Sequence, residues 1–248
     1  MQDLQVGDLV LTGRPGHFTY QPMYAFGHLN KDVLADFYAI KTKGNKAPLE
    51  MTGEHLVYLA NKNNPVRADS LNVGDVLLGI KGSTEITAIK MVKKRGLYNP
   101  LVADGTLVVN DIAVSTYIAL QKTNQEHFQV NFGEDYQINL LPHQSFVHLY
   151  LTPFRMLCMG VSSWFFQAVD EEGIPYYISL GMKLVNWVGA QNVLVQLVFL
   201  LVTLPLCVAL LAVEKLVGSS VAPLAIFAMV VLLSKKAPSL TMRKQKVV

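Results

Sequence analysis

Between Val193 and Ser234 the chain carries one acid and one base, the adjacent Glu214 and Lys215. This scarcity of charge restricts what the C-terminal fifth can become. Val193–Val213 is twenty-one residues without a charge, and at about 1.5 Å per residue it matches the roughly 30 Å hydrocarbon core of a bilayer. Leu216–Ser234 is a second apolar run of nineteen residues, shorter by about 3 Å on the same rise. Pro205 and Pro223 interrupt the runs, which membrane helices tolerate when neighbours satisfy the freed backbone. The competing reading is a pair of buried core helices in a water-soluble protein. It is the weaker one, because adjacent all-round apolar segments of spanning length are rare there. The expectation is a hydrophobic hairpin of two transmembrane helices over 191–234. A basic tail over 235–248 follows, whose Lys235, Lys236, Arg243, Lys244 and Lys246 suit anionic headgroups.

The remainder of the chain has a different texture. Only 16% of residues are charged, and the net charge of +3 is too small to argue for nucleic acid. The two cysteines, Cys158 and Cys207, form neither a disulfide framework nor a zinc pattern, and nothing points to a metal, nucleotide or organic cofactor. Met1-Gln-Asp-Leu-Gln-Val-Gly-Asp8 lacks the basic start and apolar stretch of a signal peptide. It reads like the middle of a domain, so the precursor is expected to begin upstream.

Residues 1–120 read as all-β. Asp8–Thr12, Phe37–Thr42, His55–Ala60, Val76–Ile80, Glu85–Val92 and Leu107–Val109 are short β-branched and aromatic runs. Turn signals such as Arg14-Pro-Gly, Asn63-Asn-Pro and Ala103-Asp-Gly separate them. Leu4-Gln-Val-Gly-Asp-Leu-Val-Leu11 recurs as Leu71-Asn-Val-Gly-Asp-Val-Leu-Leu78, five identities in eight positions. A Val-Gly-Asp turn before a strand also arises by chance, but this many matches favour two subdomains related by pseudo-symmetry. From Gln121 to Leu140 the chain is polar without clear period, a linker or lid. Further on, Tyr177, Leu180, Met182, Leu184, Val185 and Val188 approximate helical spacing.

The residues that can carry chemistry are Thr52-Gly-Glu-His55 at the start of a strand. A hydroxyl and an imidazole three residues apart can reach one carbonyl or leaving nitrogen, polarising a peptide bond and protonating its departing amine. Alone, a T-x-x-H is weak, because a single His is more often structural than catalytic. The run Leu49-Glu-Met-Thr-Gly-Glu-His-Leu-Val-Tyr58 resembles the second characteristic block of Hint (Hedgehog/intein) domains. The stretch from Gly96 through Pro100-Leu, Gly105-Thr-Leu-Val-Val and Ala113-Val-Ser-Thr-Tyr117 resembles the closing block of the Hedgehog branch. Met1–Thr12 resembles the strand after that family's first block. Ser145–Leu157 and Gly173-Ile-Pro-Tyr-Tyr177 resemble segments C-terminal to the Hint core. The likeness covers residues 1 to about 180.

The resemblance implies a mainly β, horseshoe-like Hint fold with a pseudo-two-fold repeat over 1–120. A linker and lipid- or adduct-recognition-like region over 121–190 would follow, then the membrane helices. It further implies a single-turnover, autocatalytic self-cleavage. A cysteine at the head of the first block attacks the preceding carbonyl, an amide becomes a thioester, and a second nucleophile (a sterol hydroxyl in Hedgehog precursors) resolves it. By motif position, Thr52 and His55 would activate the amide. His28 would help activate the attacking hydroxyl, with an exposed structural histidine as the competing reading. Thr116 stands where the family's closing block has a cysteine. No cysteine precedes Asp3, and thioester chemistry needs a thiolate, so the chain as given is expected to be inactive in the first step. The alternative function is a non-catalytic Hint-fold binding or membrane-anchoring module.

Expected partners are membrane lipid, a sterol acceptor, and an N-terminal precursor segment in cis. The expected location is a membrane of the secretory pathway. The basic tail favours a cytosolic C-terminus, which conflicts with a luminal Hint domain on two spans; one span with an interfacial second segment would reconcile them. The rings of Trp164, Phe165, Phe166, Tyr176, Tyr177 and Trp187 suit either the headgroup level or packing on the β domain.

Overall fold

The two Val-Gly-Asp segments build the same turn twice. In the first, the Gly7 amide donates to the Met23 carbonyl at 2.8 Å and the Met23 amide donates to the Asp8 carbonyl at 2.9 Å. In the second, Gly74 and Ile86 make the same pair with Asp75, at 2.9 and 2.8 Å. Each aspartate carboxylate also accepts the amide three residues earlier, Gln5 or Asn72, at 2.8 Å. Both glycines sit at positive φ, +98° and +96°, where a side chain is strained. The repeat is therefore a repeated backbone conformation, and each copy launches a strand.

The computed structural model describes residues 1–120, 126–131, 137–162, 168–218, 221–224, 226 and 228. Eleven strands occur among them: β1 (Leu9–Arg14), β2 (His17–Thr42), β3 (Leu49–Met51), β4 (His55–Val57), β5 (Val66–Arg67), β6 (Val76–Gly79), β7 (Gly82–Val102), β8 (Thr106–Val109), β9 (Ile112–Ile118), β10 (His127–Asn131) and β11 (Gln137–Pro142). The first nine form one sheet of order β1-β2-β7-β6-β9-β4-β5, with β3 added to β2 and β8 to β9. All pairings are antiparallel. This is the mainly β architecture expected from the sequence.

The longest strands depart from the expected short runs. β2 takes in Pro22, Gly27, Asn30 and Asp32, which as local signals mark turns. Pro22 lies opposite Leu9, and the register against β7 slips between Met23 and Ala25, between Phe26 and His28, and between Asn30 and Leu34. The turn-formers are thus absorbed as bulges that bend a continuous strand without ending it. The β8–β9 hairpin turns on Asn110 and Asp111, at φ 48° and 66°, the left-handed conformation that a two-residue hairpin loop requires. Within the stretch read as linker or lid, β10 and β11 form a separate antiparallel pair.

Ile40, Val57, Leu77, Ile86 and Ile112 centre the main core inside the sheet, each at most 1% exposed. A second core joins the sheet to helices: Tyr24, Leu101 and Tyr117 pack with Val147, Phe154 and Cys158. These helices are α1 (His143–Tyr150) and α2 (Thr152–Leu157), the latter running into a π turn over Cys158–Ser162. α3 (Tyr176–Gly189) matches the helical spacing read there.

α4 (Val193–Val217) begins where the Asn192 side chain accepts the Val195 amide at 3.1 Å, and ends at Gly218, φ +83°. Of the helices among the described residues, α4 alone is long and apolar enough to cross a membrane by length and composition. It runs through Glu214 and Lys215, so the charge pair does not divide two helices. Of the expected second helix, 219–220, 225, 227 and 229–234 lie outside the described residues, as do the basic tail and Trp164, Phe165 and Phe166.

Candidate functional site

β3 ends at Met51 and β4 starts at His55, so Thr52-Gly-Glu is the turn between two strands of the sheet. The turn closes with the His55 amide on the Thr52 carbonyl at 3.2 Å. It brings the Thr52 hydroxyl within 2.8 Å of His55 Nδ1. β9 fixes the other side of the turn, pairing Ile118 with His55, while the Ala119 amide donates to the Glu54 carbonyl at 2.9 Å.

His55 is held neutral. Burial lowers its pKa from 6.5 to about 4, helped by the nearby His28 and opposed by the Glu54 carboxylate and by a hydrogen bond that the ring gives to the Asn99 side chain. At neutral pH it can therefore offer both a lone pair and an N–H. With the Thr52 hydroxyl donating to Nδ1, the proton resides on Nε2, the nitrogen left for Asn99 or for a reacting group.

Asn99 was not singled out from the sequence, although it lies inside the block resembling the Hedgehog closing motif. In the sheet it stands opposite His28 on β2. Gly27 makes room for it: a Cβ there would sit 2.8 Å from Asn99 Nδ2. His28 itself places Nε2 at 2.7 Å from the Glu172 carbonyl oxygen. A carbonyl only accepts, so Nε2 carries a proton, and in the neutral ring the lone pair is on Nδ1.

Thr116 lies on β9 between two residues with clear anchoring roles. Its amide donates to the Gly105 carbonyl at 3.0 Å, and the Tyr117 amide donates to the Ser115 hydroxyl at 2.8 Å. The Tyr117 hydroxyl meets His148 Nδ1 on α1 at 2.9 Å. The Thr116 hydroxyl is buried and, among the described residues, has no hydrogen-bond partner.

All four expected site residues, Thr52, His55, His28 and Thr116, line one cavity of about 990 Å³. Met1, Gln2 and Asp3 border it as well. Its lining also takes in Phe146, Tyr150 and Tyr177, and Phe199 and Leu206 of α4. One end is polar and the rest is apolar. Among the described residues no group of three or more His, Cys, Asp or Glu side chains is arranged to hold a metal ion.

A second polar cluster beneath the site also escaped the sequence reading. Arg155 on α2 is 1% exposed and grips Glu214 of α4 with two hydrogen bonds, Nε to Oε1 at 2.7 Å and a second guanidinium nitrogen to Oε2 at 2.6 Å. It also donates to the His148 carbonyl at 3.2 Å. The available signal was an isolated acid in a long apolar run, since a buried charge calls for a partner.

Comparison with known proteins gives a consistent pattern. The family model described as Hint module matches residues 1–133. The chain is 29% identical to Warthog protein 1 of Caenorhabditis elegans over 146 residues, 55% of this chain and 30% of that protein. It is 31% identical to Indian hedgehog B protein of Danio rerio over 147 residues, 52% of this chain and 35% of that protein. The chain thus spans about a third of the length of the curated relatives it matches. Among solved structures, the bacterial intein-like domain from Clostridium thermocellum is similar at 20% identity, with a TM-score of 0.37, over 46% of this chain and 85% of that one.

Proposed function

The chain belongs to the Hint family, with a Hedgehog-type Hint domain over residues 1–133, and from that premise we propose that it is the self-processing part of a membrane-attached precursor. The observation that carries the proposal is the Thr52–His55 hydrogen bond of 2.8 Å, on the wall of a cavity that Met1–Asp3 also border. A peptide bond entering beside Met1 would meet a neutral imidazole whose ring is already oriented.

The chemistry has two steps. A cysteine thiolate supplied by a preceding block attacks the carbonyl of the residue before it. The C–S bond forms, the C–N bond breaks, and the proton that left the cysteine thiol passes to the departing amine through His55, whose ring is neutral again at the end. In the second step a hydroxyl attacks the thioester, a C–O bond forms and the thiolate leaves. His28 Nδ1, which bears the lone pair of the neutral ring whose Nε2 donates to Glu172, takes the proton of that hydroxyl. The acceptor is a lipid alcohol of the sterol class or water. The apolar extension of the cavity favours the alcohol, because its volume of about 990 Å³ lies at the upper end of small-molecule sites.

A second reading rests on Thr116. A buried hydroxyl without a partner, where the family's motif has a thiol, fits a fold that has lost the second step and serves as a binding or membrane-anchoring module.

One experiment separates the two. The coding sequence upstream of Met1 is read and the whole frame expressed, and release of a fragment heavier than 27.4 kDa, this chain with the block ahead of Met1, is followed. Processing should require the upstream cysteine and fail in His55→Ala and Thr52→Ala. Mass analysis of the released partner distinguishes an ester, formed with an alcohol, from a free acid, formed with water. Cleavage that persists in His55→Ala refutes the mechanism, and a frame with no cysteine upstream leaves the binding module.

A further inference from the structure

The inward face of α4 repeats with helical spacing. Gln196, Leu200, Thr203, Cys207, Leu210 and Glu214 are its shielded positions, with Cys207 and Glu214 fully buried. Eighteen residues separate the first from the last, about 27 Å of helix. Polar contacts fasten this face at its middle and its end. The Tyr150 hydroxyl of α1 meets the Thr203 hydroxyl at 2.7 Å, and Arg155 of α2 holds Glu214 through two hydrogen bonds. α1 and α2 are in turn bound to the sheet, through Tyr117–His148 and through Tyr24 against Phe154 at a ring separation of 6.2 Å.

The contacts with the sheet-bound helices run from Leu200 to Glu214, about 21 Å, and a helix of about 37 Å fastened over that length has too little left free to cross a 30 Å hydrocarbon core. The sheet, with its strand edges and exposed lysines, would have to enter the hydrocarbon beside it, where open backbone groups find no partners. Yet the outward face of α4 is strongly apolar: Leu194, Leu201 and Leu216 are 71%, 73% and 83% exposed. α3 continues that surface with Tyr176, Leu180, Leu184 and Trp187, one stripe at helical spacing, each at least 43% exposed. Among the described residues, sixteen of the twenty-six exposed large hydrophobic ones fall between Tyr176 and Leu224, far more than a water-facing surface gathers in one place.

We infer that α4 lies along the membrane surface, docked on its own domain, and that with α3 it forms a one-sided lipid-binding face. Composition supports lipid as the occupant. A surface helix of a water-soluble protein has a polar side for solvent, but α4 has protein on one side and needs lipid on the other, which accounts for its apolar character all round. The only exposed charges on α3 and α4 are Lys183 and Lys215, both cationic, as anionic headgroups prefer. Tyr176 and Trp187 supply rings suited to the headgroup level.

The test uses the full chain translated into sealed microsomes, with single cysteines introduced as Ala190→Cys and Lys215→Cys, one on each side of α4. Labelling by a membrane-impermeant maleimide is read above the wild-type background, since Cys158 and Cys207 are buried. Both sites should react from the same side, either before detergent or only after it. Opposite accessibility means that α4 crosses, and overturns the inference. In a second arm, Leu180→Glu with Trp187→Glu alters exposed positions of α3 only. A docked face predicts at least a ten-fold fall in the membrane-bound to free ratio; unchanged binding, as a crossing α4 would give, overturns it. Wild-type chain that stays in the supernatant overturns it too, and assigns the surface to a protein partner.

Discussion

Acidification from pH 7 to pH 5 should destabilise the fold through two histidines. Burial holds His55 and His148 near pKa 4 instead of 6.5, and at His148 the neighbouring Arg155 guanidinium adds to the effect. The unfolded chain therefore binds protons that the folded chain resists. Their contribution is complete above pH 6.5 and is lost as the pH falls towards 4. With an unfolded value of 6.5 and a folded value of about 4, the linkage integral between pH 7 and pH 5 comes to about 1.8 kcal/mol per histidine, or about 3.6 kcal/mol for both. Both rings keep some contact with water, so this is an upper figure.

Urea unfolding of the full chain in a mild detergent provides the assay. For a slope of about 2.5 kcal/mol per molar, the midpoint should fall by up to about 1.4 M between pH 7 and pH 5. Stopping at pH 5 keeps the experiment above the range in which carboxylates lose their charge. Glu126, held down by its bond from Lys62, and Asp170, held down by Ser179, titrate lower still. His148→Gln and His55→Gln should each flatten about half of the slope. A wild-type midpoint independent of pH, or a slope that survives both substitutions, would show that neither ring is buried neutral and would refute the reasoning.

Three further outcomes test particular contacts. In Asn99→Ala the His55 ring loses the bond that opposes its depression, so NMR titration should find His55 titrating at still lower pH; Gly27→Ala, which displaces Asn99, should move it in the same direction. Gly7→Ala and Gly74→Ala should each cost about 1–2 kcal/mol in urea unfolding, and by similar amounts, because both copies of the turn hold positive φ in open space. Arg155→Met should cost about 3–5 kcal/mol by leaving Glu214 charged and buried, whereas Arg155→Met with Glu214→Leu should come within about 1 kcal/mol of wild type or exceed it.

Local chemistry made part of this legible from the sequence. The Val-Gly-Asp repeat was readable because its conformation depends on residues within three positions, a glycine at positive φ and an aspartate reaching back to an amide. Thr52 and His55 were readable because the run Leu49–Tyr58 around them resembles a Hint block; their spacing alone was a weak signal. The extent of β2 was not, since Pro22, Gly27 and Asn30 give turn signals that only pairing with β7 overrides. Asn110-Asp111 was also passed over, because its hairpin conformation is more often announced by a glycine. Asn99 and the Arg155–Glu214 pair were illegible for a stronger reason. Their partners lie 44 and 59 residues away in the chain, and no local pattern records a contact across that distance.

The apolar run that dominates the C-terminal sequence has a different meaning once its docked face is known. Hydropathy records what α4 avoids, which is water, but not whether lipid or protein replaces it, and here each takes one side. The cavity runs from Phe199 and Leu206 on that helix to Thr52, His55 and His28 on the sheet. If the outer face of α4 rests on lipid, the apolar end of the cavity lies beside the bilayer and the polar end faces away from it. An acceptor with an apolar body and one hydroxyl would then bind in a single orientation, body towards α4 and hydroxyl towards the open nitrogen of His28. Water gains nothing from the apolar wall. Enlarging a polar group there, as in Leu206→Gln, should shift the products of a competent precursor from ester towards free acid without slowing the first step. A shift in total cleavage rate with an unchanged product ratio would separate the wall from acceptor choice and remove the link between the membrane face and the site.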